Sequence, residues 1–287
     1  MVEKVFKTPG LVVATSLLGV TASSAQIAVT GPVVYGHHHL IVTDIDAHKK
    51  FWIDTLGGVP AKLGASSVNV VALPNVLIVL TPGRPAGGTK GTTVNHVGFG
   101  VPNLRAMIDR IKANGFPIVT RAELSAQYEV KDDIGYVPDT KSSVAFVMAP
   151  DETKVEFVED KSMNGAIALH HVHFNAPDVT AMRDWYVKTF GARPGMRGSF
   201  VAADLPGVNL SFSPAPAAVV GTRGRVLDHI GFEIQSLEQF VKTSESAGVK
   251  IDRGYTKAAQ YGDLGIAFLT DPWGTYIELN EGLTAVR

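Results

Sequence analysis

Residues that suit metal binding recur at matched spacings along this chain of 287 residues. Two imidazoles and one carboxylate give a divalent metal three protein ligands and leave positions open for a substrate. The first histidines of the two halves are separated by almost the same number of residues as the second histidines. The sequence therefore predicts a duplicated metal-site scaffold, whose two series are His37, His96 and Glu156, then His171, His229 and Glu278.

Each of the four histidines lies in an extended run that opens a repeated unit. A polar cap, an amphipathic helix, a glycine and short strands follow each run. Asp44 and Asp178 are the predicted caps in the first and third units, and Phe51 and Trp52 lie on the apolar side of the first helix. Because side chains alternate along a strand, a histidine in mid-strand can face the inside of a curved sheet while its neighbours face the helices.

The closing strands repeat as well. Residues 73–76 match residues 205–208, so the first and third units correspond. The second and fourth units correspond through their ends, near Glu156 and Glu278. The second unit is the longer of these two, and its extra residues are assigned to the polar segment 121–143. A loop of this length is often a lid or a substrate-contacting loop, and structural padding is the alternative.

Composition limits the partners. With 45% hydrophobic and 18% charged residues, the chain has enough apolar material for two globular cores. A formal net charge of -1 gives no basic face for nucleic acid. A small-molecule partner is predicted, and a homo-oligomer is left open. Because there is no cysteine, a metal must bind through nitrogen and oxygen.

The N-terminal residues 1–25 have the pattern of a secretory signal peptide. Lys4 and Lys7 precede an apolar run at 11–20, and small residues follow at 23–25. The run is too short for a bilayer span, so no stable membrane anchor is expected. Export to the periplasm is the prediction, and an N-terminal tail is the alternative.

The repeated units and two motifs, at 227–232 and 271–278, resemble the vicinal oxygen chelate superfamily. This superfamily contains glyoxalase I, extradiol dioxygenases, methylmalonyl-CoA epimerase and the bleomycin and fosfomycin resistance proteins. The resemblance implies an α+β fold of four βαβββ units. They would form two domains, at 34–160 and 168–284, each a cupped mixed β-sheet with helices on the outside.

The resemblance also implies the ligand sets. Carried over by position, the second domain binds metal through His171, His229 and Glu278. The first domain offers His37, His96 and Glu156 in the matching places. An alternative site takes His37 together with His229 and Glu278. Such a set favours Fe(II) or Mn(II), and Zn(II) is also compatible.

The remaining histidines fall into two groups. His39 and His173 lie two positions beyond predicted ligands and therefore face the same way on a regular strand. Each is interpreted as a catalytic base or replacement ligand, with a histidine at the strand rim as the alternative. Solvent or interface positions are expected for His38, His48 and His170.

Dioxygenase-type chemistry on a small oxygen-chelating substrate is the expected function, because the two-domain layout is similar to that of extradiol dioxygenases. A glyoxalase- or epimerase-like lyase or isomerase is one alternative, and a non-catalytic binding protein of the resistance type is another. Two departures separate the chain from better-known members. The acid-base His and Tyr of catechol cleavage are missing at the corresponding positions, and segments 76–80 and 208–212 lack the fourth carboxylate or amide ligand of glyoxalase I.

Overall fold

The computed structural model describes residues 30–215 and 218–286, which contain the four repeated units. The first unit consists of β1 (Val33–Val42), α1 (Ile45–Lys49) with a π-helical continuation (Lys50–Thr55), β2 (Val59–Ala61), β3 (Asn69–Leu73) and β4 (Val76–Pro82). The second consists of β5 (Val94–Val101), α2 (Leu104–Ala113), α3 (Thr120–Glu123), β6 (Val130–Lys131), β7 (Ile134–Val137), β8 (Ser142–Ala149), a 3₁₀ turn (Pro150–Glu152) and β9 (Thr153–Glu159).

The third and fourth units repeat this course. The third consists of β10 (Ala168–Ala176), α4 (Val179–Phe190), β11 (Arg193–Arg197), β12 (Phe200–Leu205) and β13 (Val208–Pro214). The fourth consists of β14 (Leu227–Ile234), α5 (Leu237–Ser246), β15 (Ile251–Ala258), a 3₁₀ turn (Ala259–Tyr261), β16 (Leu264–Thr270), β17 (Tyr276–Glu281) and a final 3₁₀ turn (Leu283–Ala285).

The units pair across the two halves of the chain. One sheet has eight strands in the order β15-β16-β17-β14-β1-β4-β3-β2, and it joins units one and four. The other has nine strands in the order β11-β12-β13-β10-β5-β9-β8-β7-β6, and it joins units two and three. We call these sheets the first cup and the second cup. Two mixed sheets built from four units confirm the predicted fold class, but each sheet takes one unit from the range 34–160 and one from 168–284.

A bulge in each central strand turns the first histidine into the cup. β1 pairs with β14 in antiparallel fashion, and the register shifts between Tyr35 and His37. The extra residue at this position puts Tyr35 in the hydrophobic core and His37 on the opposite, concave face. β10 has the same shift between Leu169 and His171 in its pairing with β5. In each strand the bulge thus places the histidine on the face of the sheet opposite to the one that simple alternation would give.

Helix caps form where the sequence predicts them. Asp44 accepts hydrogen bonds from the backbone N–H groups of Asp46 and Ala47, and Asp178 accepts one from Ala181. The helix α4 ends at Gly191, whose φ of 70° is a left-handed conformation that glycine adopts without strain.

One apolar core joins both cups through the helices. The ring of Phe190 in α4 stacks on Phe232 in β14 with centroids 4.5 Å apart, and Tyr35 contacts Phe232 edge-on at 5.6 Å. Trp52, from the first unit, packs in the same way near Phe99 of the second unit at 6.0 Å. Units one and two, like units three and four, therefore meet through helices, whereas units one and four, like units two and three, meet through strand edges.

The segment 121–143 lies over the second cup. It contributes β6, β7 and the end of α3, and apolar side chains from this part of the chain surround Phe146 and Val158. Glu123 pairs with the buried Lys154 of β9 at 2.7 Å. The extra residues of the second unit thus pack against β8 and β9 of the second cup.

The predicted signal peptide at 1–25 lies outside the described residues, and export to the periplasm stays a prediction. Within 30–215 and 218–286, the structure contains no helix with the length and apolar character that a bilayer crossing requires.

Truncating Phe232 tests the shared core. The side chain is fully buried between Phe190 and Tyr35, so Phe232→Ala is expected to lower the free energy of unfolding by about 3–5 kcal/mol. Chemical denaturation measures this loss. Tyr136→Ala is the control, because Tyr136 is 51% exposed and its removal should change stability by about 0.5 kcal/mol or less. A loss at Phe232 no larger than the control's would contradict the packing described.

Candidate metal centre

The first cup brings together three of the predicted ligands. His37 comes from β1, His229 from β14 and Glu278 from β17, and all three are buried. The Oε2 atom of Glu278 lies 2.8 Å from Nε2 of His229 and 3.3 Å from Nε2 of His37. With His39, these residues offer four donor atoms within 4.8 Å of one another.

Glycine makes this approach possible. The His37 ring lies against the backbone of Gly231, its cross-strand neighbour, and a Cβ added there would overlap the ring. The second cup repeats the arrangement, with the His171 ring against Gly98. A residue with a side chain at either glycine would displace the histidine from the cup.

Two further polar residues orient the donors. Nδ1–H of His229 donates to Oδ2 of Asp228 at 2.7 Å, which leaves Nε2 directed at Glu278. Asn280 donates its amide to Oε1 of Glu278 at 2.8 Å, so the other carboxylate oxygen faces the histidines. Hydrogen bonds of this kind fix the rotamer and tautomer of a metal ligand.

The charges in this cup are strongly coupled. Burial alone would lower the pKa of His229, but its hydrogen bonds to Asp228 and Glu278 hold that pKa above the ordinary value. Burial would raise the pKa of Glu278, but His229 and His37 hold it well below its usual range. In the absence of metal, the cup therefore favours a protonated His229 between two carboxylates.

His39 faces the same cavity in neutral form. Burial, with a smaller effect of His229, lowers its pKa to about 3. Its Nε2 lies 2.8 Å from the Thr81 hydroxyl, and its ring lies 4.3 Å from that of His229. A neutral imidazole at this position can accept a proton or act as a ligand.

A cavity of about 240 Å³ opens onto these donors. Its polar end is formed by His37, His39, His229 and Glu278. The remaining wall is mostly apolar and includes Leu63, Val68, Val79, Leu264, Ile266 and Phe268. A small, mostly apolar molecule with a polar chelating end fits this distribution.

The second cup has the same three residue types. Glu156 Oε2 lies 2.8 Å from Nε2 of His96 and 3.0 Å from Nε2 of His171. His173 stacks on His96 with centroids 4.6 Å apart, and its Nε2 lies 2.7 Å from the Ser213 hydroxyl. Asn95, which contacts His96, takes the place of Asp228.

Two cations distinguish the second cup. Nε–H of Arg197 donates to the buried Ser211 hydroxyl at 2.8 Å, at the position that Val79 occupies in the first cup. After burial, the Arg197 charge is the next largest cause that lowers the pKa of His171. Lys154 stands two positions before Glu156, where the first cup has Tyr276, and its positive charge lowers the pKa of His96 in addition to burial.

The structure corrects the expected grouping of the ligands. His171 does not lie with His229 and Glu278, and His37 does not lie with His96 and Glu156. The alternative that takes His37 together with His229 and Glu278 is the one that the strand pairing produces. The physical reason is that β1 shares its edge with β14, which alternation along a single strand does not specify.

Two minor expectations are also corrected. His38 and His48 are buried, not solvent-facing. His38 Nδ1 accepts from the Tyr35 hydroxyl at 2.7 Å on the convex side of the sheet. His48 lies between Asp151 and Trp52, with its Nε2 3.1 Å from the carboxylate. His170 is half-buried at the edge of the second cup, against His171.

Sequence reasoning did not single out several residues that shape these sites. Asp228 and Asn280 orient ligands, and Arg197 fills the second cup. Asp228 directly precedes a candidate ligand, and Asn280 lies two residues after one, so both share a strand with it. Those adjacencies were the available signals. Arg197 carried none, because its position depends on the β11–β12 hairpin.

Comparison with known proteins agrees with this geometry. The sequence model of the Glyoxalase/Bleomycin resistance protein/Dioxygenase superfamily matches residues 168–279. Glyoxalase I from Zea mays is similar over 88% of this chain and 94% of that chain, with 15% identity and a TM-score of 0.68. A putative dioxygenase from Bacillus subtilis is similar over 86% and 84%, with 12% identity and a TM-score of 0.62. Identities this low show the fold alone. No curated protein sequence matches the chain.

Asp228→Asn tests the electrostatics of the first cup. Loss of the carboxylate favours neutral imidazole, so the pKa of His229 should fall from its raised value, and NMR titration of the metal-free protein measures it. Asn95→Asp is the matched control, because it adds a carboxylate beside His96 and should leave the pKa of His229 unchanged. An unchanged His229 titration in Asp228→Asn would contradict the described contact.

Proposed function

Because residues 168–279 belong to the Glyoxalase/Bleomycin resistance protein/Dioxygenase superfamily, we propose that the protein is a divalent-metal-dependent enzyme. It acts in the first cup on a small substrate that chelates through adjacent oxygen atoms, and its chemistry is of the dioxygenase type. The observation that carries this proposal is the convergence of His37, His229 and Glu278 at the polar end of an apolar cavity.

Buried nitrogen atoms without hydrogen-bond partners indicate that this donor set fits a metal ion. Both ring nitrogens of His37 are buried without a hydrogen-bond partner, although Nε2 points toward Glu278 at 3.3 Å. Buried polar atoms are nearly always paired, and an ion is one of the partners that explain such an exception. Nε2 of His229 and Oε2 of Glu278 lie 2.8 Å apart, and the raised pKa of His229 favours a positive charge at this place.

His37, His229 and Glu278 are the proposed ligands, and His39 is a fourth donor within reach. Two nitrogens and one carboxylate oxygen favour Fe(II) or Mn(II), with Zn(II) compatible. When bound, such an ion supplies a Lewis acid that polarises the chelating oxygens of a substrate. The apolar wall of the cavity excludes water from the substrate, and Asp228 keeps the His229 ring in one tautomer.

We favour dioxygenase-type over glyoxalase-type chemistry because β4 offers no fourth ligand. The residues of β4 beside His37 and His39 are Leu77 and Val79, so no carboxylate or amide is offered there. A three-ligand set leaves room for both a bidentate substrate and oxygen. A lyase or isomerase is the second candidate, favoured by the position of His39, whose imidazole faces the cavity.

The second cup is proposed to be a structural copy without metal. Arg197 brings a positive charge toward Glu156 and His171, whereas the charge of Lys154 is offset by its ion pair with Glu123 at 2.7 Å. A divalent cation placed there would be repelled by the Arg197 guanidinium.

Metal content per chain tests this assignment. The wild-type protein is expected to bind about one equivalent of Fe(II) or Mn(II), since only one cup has the required charge balance. His229→Ala should abolish binding, and the matched variant His96→Ala should retain it, as measured by elemental analysis after reconstitution. Retention of metal by His229→Ala together with its loss in His96→Ala would reverse the assignment of the cups.

Oxygen consumption separates the reaction classes. With Fe(II)-loaded protein and a panel of small phenolic substrates, oxygen uptake is expected to match the loss of any substrate that turns over, and turnover should stop without oxygen. Anaerobic turnover that is strongly reduced in His39→Gln would instead support the lyase or isomerase, because that reaction needs the neutral base and not oxygen. Tight binding without turnover under either condition would contradict an enzyme and support a binding protein.

A further inference from the structure

Arg253 introduces a positive charge into a cavity wall that is otherwise mostly apolar. Among the described residues that line the first-cup cavity, it is the one arginine or lysine. Its neighbours along the wall include Leu264, Ile266 and Phe268. Arg253 is itself an exposed residue that solvent reaches, so its role depends on the contacts that direct it toward the cavity.

The strand that carries Arg253 is distorted at this residue. In the pairing of β15 with β16 the register shifts between Ile251 and Arg253, and shifts again between Arg253 and Thr256. Arg253 is the paired residue between the two irregularities, opposite Phe268. Bulges of this kind redirect a side chain and are common beside active sites.

Phe268 links Arg253 to the donor cluster. The Arg253 guanidinium lies 5.9 Å from the centre of the Phe268 ring, and that ring contacts His229 edge-on at 5.7 Å. The aromatic face holds the guanidinium toward the cavity by a cation–π contact. The Phe268 ring thus lies between the Arg253 charge and the proposed ligand His229.

The guanidinium lacks an acidic partner. Within residues 30–215 and 218–286, no carboxylate lies within ion-pair distance of Arg253. Its hydrogen bond to the Thr256 hydroxyl is long, at 3.4 Å. Most of its five N–H donors therefore remain available to a ligand.

Charge balance indicates the sign of that ligand. Glu278 and Asp228 offset a divalent ion in the first cup, and Arg253 adds a positive charge to the cavity wall. A planar guanidinium pairs best with a carboxylate, through two parallel hydrogen bonds. Resting on the proposed function, we infer that the substrate carries a carboxylate on an apolar body, with the carboxylate on Arg253 and the chelating oxygens at the ligand end.

A matched pair of probes tests this inference. Protocatechuate is a catechol with one ring carboxylate, and its amide has nearly the same shape without the charge. Their affinities for Mn(II)-loaded protein are measured by calorimetry without oxygen. The wild type is expected to bind protocatechuate about tenfold more tightly than the amide, the scale of one hydrogen-bonded charge.

Two arginine variants locate the effect. Arg253→Met should abolish the preference by weakening protocatechuate binding alone, with the amide affinity unchanged. Arg223→Met is the matched control, because Arg223 stacks on the neighbouring Tyr276 ring at 4.5 Å but does not line the cavity. It should keep the full preference.

Other outcomes overturn specific statements. Equal wild-type affinity for the two probes would overturn the carboxylate site while leaving the metal-chelate proposal standing. An equal loss of preference in both arginine variants would overturn the role of Arg253, because it would reflect general charge. Failure of both probes to bind the Mn(II)-loaded protein would overturn the proposed function and this inference together.

Discussion

The antiparallel edge between β1 and β14 determines which residues form a site. It brings His37 over Gly231 and next to His229, while β17, parallel to β14, adds Glu278. The bulge after Tyr35 is part of the same constraint, because it lets β1 contribute one side chain to the core and the next but one to the cup. Without this edge His37 would be separated from His229 and Glu278, which share a sheet within unit four.

The edge between β10 and β5 builds a second cup with the same backbone but different chemistry. The backbone course and the two-histidine, one-glutamate pattern are shared, yet Ser211, which accepts from Arg197, stands where the first cup has Val79, and Lys154 stands where it has Tyr276. The duplicated scaffold thus carries the same donor types in two different surroundings. The difference lies in side chains of the walls, not in the donors.

Sequence alone predicted the four units, the helix caps at Asp44 and Asp178, and the strands that carry the six candidate ligands, because these depend on local periodicity and capping. It did not determine which units share a sheet. The opening strands have the same pattern, so their edges are equivalent until helices such as α4 pack Phe190 against Phe232 of the following unit. The filling of the second cup was equally hidden, since Arg197 and Glu123 reach it only through tertiary contacts.

The central claim is that one metal ion binds between units one and four. Anomalous diffraction at the absorption edge of the bound metal, on crystals of the reconstituted protein, tests it most directly. The account predicts a single peak among His37, His229 and Glu278. A peak among His96, His171 and Glu156, whether alone or in addition, would contradict the assignment of the second cup as a copy without metal.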